Sequence, residues 1–139
     1  MALGALGAGC GDDGPGDTAR FCGEVQTHTS ELLSAPATLD DVEPYLALYR
    51  RIGDVAPLAV EPHWQALLLD YETASTVDPS DAASVQRALV QAYATEKSAV
   101  AVRDFLLANC SVDLGPITTI VAHGPVTPAA TVPTTAPGG

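Results

Sequence analysis

Residues 78–110 read DPSDAASVQRALVQAYATEKSAVAVRDFLLANC, and the way this stretch starts and stops decides the fold. Asp78-Pro79-Ser80-Asp81 is the clearest helix start in the chain, with Asp78 at the N-cap, Pro79 at the first helical position and Asp81 as an acid in the first turn. From there Val85, Leu89, Ala92, Ala99, Val102, Leu106 and Cys110 form one apolar stripe, thin between Thr95 and Ser98. Val85 and Cys110 lie 25 positions apart, about seven turns at roughly 3.6 residues per turn. One unbroken helix to about Asn109 therefore keeps both on one face, with a kink near Ser98 as the alternative.

Three further amphipathic segments precede it. Helix A is expected from Asp17 or Thr18, either a good N-cap, and carries Phe21, Val25, His28 and Leu32 at 4-3-4 spacing until Pro36 ends it. Thr38-Leu39-Asp40-Asp41 has the form of a capping box. Helix B follows with Val42, Tyr45, Tyr49, Ile52 and Val55 on one stripe. Pro44 sits in its first turn, where a missing N–H costs nothing, and Gly53 and Pro57 close it. Helix C carries Val60, Trp64, Leu67, Tyr71 and Ala74, with Pro62 in the opening turn. Aromatic residues make up only 5% of the chain, so small aliphatic side chains are expected to build the core.

The cysteines turn these segments into a topology. Cys22 lies within about a turn of the start of helix A and Cys110 at the end of the last helix. A disulfide requires Cα atoms roughly 4.4–6.8 Å apart. In an up-down bundle an even number of spans brings the chain back to its starting end, whereas an odd number leaves the ends about 25 Å apart for a 17-residue helix. Four spans fit and three do not. The expected fold is all-α, an up-down bundle of four helices over residues 18–115, closed by a Cys22–Cys110 disulfide. Closing a loop of about 89 residues contributes roughly 4.5 kcal/mol in the chain-entropy model.

The third cysteine points to location. Leu6-Gly7-Ala8-Gly9-Cys10 resembles a lipobox, in which small residues precede a cysteine that is diacylated and becomes the first residue; position 7 is more often aliphatic in that motif. The alternative is a Gly/Ala-rich terminus with an incidental cysteine. On the lipobox reading residues 1–9 are the remnant of a signal peptide, with Met1 inside a longer leader, and 10–17 form an anchor and flexible tether. Residues 116–139 contain Pro116, Pro125, Pro128, Pro133 and Pro137 and read as a mostly disordered Pro/Thr-rich tail, with Ile117, Ile120 and Val121 able to lie against the bundle.

Charge excludes one class of partner. Six Lys and Arg against 17 Asp and Glu give a net charge of −11, which repels phosphate backbones and anionic headgroups. Nucleic acid is not an expected partner, and membrane contact is expected only through a lipid on Cys10. No stretch approaches the roughly 18 apolar residues of a membrane span.

Few residues point to chemistry. His28 on the stripe of helix A and His63 beside Trp64 invite a metal or haem between helices, but no pair has the spacing of H-E-x-x-H, and the simpler reading is a buried hydrogen-bonded His28 and a surface His63. His123 falls in the tail. Asp70, Glu72, Asp78 and Asp81 occupy positions 1, 3, 9 and 12 of a calcium-loop pattern, but Ser75 stands where that loop needs glycine. Asp12-Asp13 and Asp40-Asp41-Glu43 read as solvated acidic surface. No G-x-S-x-G or Gly-rich phosphate loop occurs, and Asn109-Cys110-Ser111 matches a glycosylation site only formally, at a helix end. No catalytic residue and no cofactor are expected.

A lipobox-like Cys10, an acidic Gly-rich tether, Phe21-Cys22 opening a helix, and Leu107-Ala108-Asn109-Cys110-Ser111-Val112-Asp113 closing the last one form a recognisable arrangement. It resembles small lipoproteins and secreted helical proteins of high-GC Gram-positive bacteria, a loose group without an assigned function. The resemblance spans residues 10–115 and implies export and a disulfide, with no active site. The expectation is an exported, membrane-tethered monomer binding an envelope protein or small ligand through its surface. The alternative is a small-ligand or metal/haem carrier using His28 and the bundle interior.

Overall fold

The computed structural model describes residues 15–34, 36 and 41–119, and among these there are helices and no strands. Cys10, the tether before residue 15, the first three residues of the expected capping box and the tail beyond residue 119 lie outside the described residues.

Helix α1 spans Pro15–Thr27, so it takes in the last residues assigned to the tether. Pro15 opens it with a pre-set φ, and Asp17 follows as an acid in the first turn. Helix A is not continuous. At His28 the backbone leaves helical geometry (φ −108°, ψ 18°), and a separate short helix α2, Thr29–Leu33, follows. The hydroxyls on either side compete with the helix ladder: Thr27 Oγ1 donates to the Gly23 carbonyl at 2.8 Å and Thr29 Oγ1 to the Val25 carbonyl at 2.9 Å.

Helices α3 (Val42–Gly53) and α4 (Glu61–Ser75) match helices B and C. Helix α5 spans Ala82–Phe105 and begins later than its sequence suggests. Asp81, in extended conformation, is the true cap, accepting the Ala83 N–H at 2.9 Å. Asp78 instead accepts from the backbone and hydroxyl of Ser80 at 2.8 and 2.6 Å, which holds Pro79 and Ser80 in a turn.

The helix runs unbroken past Thr95 and Ser98. Thr95 is 1% exposed, but its hydroxyl donates to the Gln91 carbonyl at 2.9 Å and accepts from the Gln91 amide at 3.2 Å, so it is carried in the stripe without penalty. The irregularity comes later. Leu106–Cys110 form a π-helical turn, after which Ser111 adopts a left-handed conformation (φ 54°). The N–H groups of Ser111 and Val112 both reach the Leu106 carbonyl.

The core forms where these elements meet. Helix α4 packs against both α3 and α5, and α1 packs against α3 and the π turn. Aromatic side chains, few in the chain, occupy its centre, where small aliphatic residues were expected to dominate. Phe21 of α1 meets Trp64 of α4 edge-on with ring centroids 5.4 Å apart, and Tyr49 of α3 stacks on Trp64 at 5.0 Å. The Trp64 indole N–H donates to the Tyr49 carbonyl at 2.8 Å. Gly53 makes room for the ring, because a Cβ there would lie 3.0 Å from Trp64 Cδ1. Ile52, Val60, Leu67, Val102 and Leu106 complete the buried cluster, and Phe105 and Ile117 pack on its edge.

The first helix and the end of the last are joined as expected. Cys22 and Cys110 form a disulfide across 88 positions, with Cα atoms 4.9 Å apart. One turn along α1 from Cys22, the Gln26 side chain donates to the Cys110 carbonyl at 2.7 Å. Residues 112–119 then run back over the bundle, with Val112 and Thr119 buried and the Tyr71 hydroxyl donating to the Thr118 carbonyl at 3.2 Å.

Replacing both bridged cysteines by serine is expected to lower the stability by about 2–5 kcal/mol. Urea unfolding followed through Trp64 fluorescence measures this. An unchanged midpoint would show that packing alone closes the bundle.

Candidate functional site

The break between α1 and α2 leaves His28 half-buried at the edge of the bundle, with 22% of its side chain exposed, rather than fully buried in the core as expected. Its ring nevertheless gathers groups from three helices. Nδ1 pairs with the Glu31 carboxylate of α2, Glu24 of α1 lies 3.9 Å from Nε2, and Arg51 Nη2 of α3 lies 2.8 Å from Nε2. A guanidinium is always a donor, so Nε2 must accept and Nδ1 must carry the proton toward Glu31.

A cleft of about 480 Å³ opens beside this network, between α2 and α3. Glu31, Asp41 and Arg51 line it with their charges, while Tyr45, Leu48 and Pro44 supply apolar surface. The Tyr45 hydroxyl donates to the Leu32 carbonyl at 3.3 Å and so ties α3 to α2. Behind it, the rings of Tyr45, Tyr49 and Tyr71 lie within 5.0–5.7 Å of one another. Burial raises all three phenols above their ordinary range, so they remain protonated hydrogen-bonding groups at physiological pH.

The other residues singled out by sequence are dispersed. His63 Nδ1 lies 3.2 Å from Ser98 Oγ and links α4 to α5. His123 lies outside the described residues. The four acids of the calcium-loop pattern do not converge: Asp70 is buried, Glu72 accepts from Arg50 at 2.9 Å, Asp78 holds a turn and Asp81 caps α5. Glu43 also binds Arg50, at 2.9 Å, so that one guanidinium braces α3 and α4. Among the described residues no group of three or more His, Cys, Asp or Glu could hold a metal ion. The Asn109 amide donates to the Phe105 carbonyl at 3.0 Å, inside the turn that carries the disulfide.

Sequence reasoning did not find the His28–Arg51 contact, which joins residues 23 positions apart. The i, i+3 spacing of His28 and Glu31 was the visible half of it. It also passed over Asp70 as a buried charge. Asp70 is 1% exposed and its Oδ2 has no hydrogen-bond partner.

No protein-family model matches the chain, and no curated protein or solved structure matches it. The functional reading therefore rests on the chemistry of its own residues.

Burial pushes the Asp70 carboxyl up to about 6. The folded protein thus holds this proton more tightly than the unfolded chain. The resulting stability is fully present below about pH 4 and is lost as pH rises through about 6. Asp70→Asn removes the ionisation, and at pH 8 it is expected to stabilise the fold by about 1–3 kcal/mol, with little effect at pH 4. Urea unfolding at the two pH values measures the difference. A variant less stable than wild type at pH 8 would show an ionised, partnered Asp70.

Proposed function

We propose that the protein is an exported helical module, held at the outer face of a membrane by a lipid on Cys10, that acts by binding an envelope partner through its surface and performs no catalysis. Export draws support from the Cys22–Cys110 disulfide, since such bridges persist in oxidising compartments. The lipobox-like residues before Cys10 supply the anchor, and two acyl chains hold a protein stably where one does not. Within this reading the four long helices run up and down, so that α1 and the end of α5 share one pole of the bundle and the tether leaves from that pole.

The observation that carries surface binding is the cleft beside His28, where α2 and α3 bring charged and aromatic side chains together. Two carboxylates, Glu31 and Asp41, line the cleft against the single guanidinium of Arg51, on a chain of net charge −11. The fitting occupant is a short basic segment of another protein, its Lys or Arg side chain toward Glu31 and Asp41 and its apolar part against Tyr45 and Leu48. A carrier using the bundle interior would need His28 turned inward, away from Glu31 and Arg51.

Two measurements test this reading. In the native host, protein with Cys10 is expected to partition with membranes and into the detergent phase, and Cys10→Ala is expected to release it. Equal partitioning of both forms would remove the anchor. Calorimetric titration with a Lys-rich decapeptide containing one Leu is expected to show binding that weakens with salt and falls at least fivefold in a Glu31→Gln/Asp41→Asn variant. Equal binding of a Glu-rich decapeptide would remove the basic-segment assignment.

A further inference from the structure

The face of α5 turned away from the core carries a second pattern. Val90, Tyr93, Val100 and Leu107 are each about half exposed or more, at 59, 61, 49 and 54%. They fall on a heptad seam, with Val90, Lys97 and Asp104 at one set of core positions and Tyr93, Val100 and Leu107 at the other. The other exposed large apolar residues, Leu33, Leu58 and Leu69, are scattered over other segments. The seam runs for about 26 Å at roughly 1.5 Å per residue. An apolar row of this length on one face marks an interaction surface.

The charges on the seam say what covers it. Lys97 stands at its middle and Asp104 two turns later, each on the solvent side of the helix. Lys97 forms no ion pair among the described residues, whereas Asp104 touches Arg103 beside it at 2.8 Å. In a parallel pair of these helices Lys97 would meet Lys97 and Asp104 would meet Asp104. In an antiparallel pair about a two-fold axis between residues 98 and 99, the like charges are separated and Lys97 comes within a turn of Asp104 of the second copy. Val90 lies opposite Leu107 of the second copy. Tyr93 lies opposite Asp104 of the second copy, within reach of a phenol–carboxylate hydrogen bond. Lys97 lies opposite Val100 of the second copy, one turn from its Asp104.

We infer that this face of α5 pairs antiparallel with the same face of a second copy, forming a two-fold symmetric dimer. The interface is isologous, so each apolar contact and each Lys97–Asp104 approach occurs twice. A single pair of helices buries less than the roughly 1,200 Å² of a standard interface, so the dimer is weak and transient. Two chains of net charge −11 also repel each other, and salt screens this repulsion, leaving the apolar seam to act. This departs from the expected monomer, and it is independent of the cleft beside α2.

Sedimentation equilibrium of the full 139-residue chain tests the pairing. The weight-average mass is expected to rise from that of one chain toward two between about 10 µM and 1 mM, at lower concentration in 0.5 M than in 0.05 M sodium chloride. Val100→Asp, at an exposed position, is expected to raise the dissociation constant at least tenfold while the circular dichroism stays helical. Lys97→Glu and Asp104→Lys are each expected to weaken association severalfold, and the double variant to regain most of it. That restoration belongs to the antiparallel pairing, since a parallel pair keeps like charges together in both forms. A monomer at all concentrations and both salts, a dimer indifferent to Val100→Asp, or charge reversals that fail to compensate would each overturn the proposal.

Discussion

The junction between α1 and the end of α5 governs the rest of the molecule. Cys22 and Gln26 stand one turn apart on α1; the first binds Cys110 covalently and the second donates to its carbonyl at 2.7 Å. The final carbonyls of a helix have no partner within it, and Gln26 supplies one from another helix. The π turn and left-handed Ser111 then redirect the chain, which lets Val112 through Thr119 lie back over the bundle. Without that junction, neither the end of α5 nor the Tyr71–Thr118 contact has a fixed position. The closed loop also lowers the entropy of the unfolded chain, which matters for a core of this size.

Opposed treatments of charge surround this frame. Arg50 meets Glu43 and Glu72 where water still reaches the pairs, so its contribution is modest and comes from bracing two helices. Asp70 is the opposite case, a carboxyl enclosed between helices without a hydrogen bond to Oδ2. A buried, unsatisfied acid is costly, and proteins retain one only under some constraint. His28 stands between these extremes, half-buried and held between the Glu31 carboxylate and the Arg51 guanidinium.

How much of this was legible from residues alone depends on what fixes each feature. Helices α3 and α4 were, because Tyr45, Tyr49, Trp64 and Leu67 repeat at helical spacing and Pro and Gly punctuate the ends. The disulfide was legible because pairing the chain's ends constrains topology more strongly than local pattern does. The break at His28 was hidden, since Thr27 and Thr29 disrupt the ladder through hydroxyl bonds that apolar periodicity does not register. The start of α5 was misplaced because Asp78 and Asp81 are equally good caps, and only the turn at Pro79 decides between them. Composition gave the number of aromatic rings and could not say that Phe21, Tyr49 and Trp64 would converge. The site at His28 needed Arg51, which only the tertiary fold brings near.

Trp64 is the one tryptophan in the chain, and its surroundings give the molecule an optical gauge of its own assembly. The indole is fully enclosed, touches Phe21 of α1, stacks on Tyr49 of α3 and fills the space left by Gly53. Tyr45 and Tyr71 lie just behind Tyr49, close enough to pass absorbed light inward to it. A separation of α1, α3 or α4 therefore wets the same ring, shifts its emission to the red and restores tyrosine emission. The colour of one native residue thus distinguishes an assembled bundle from a loosened one, without any label attached.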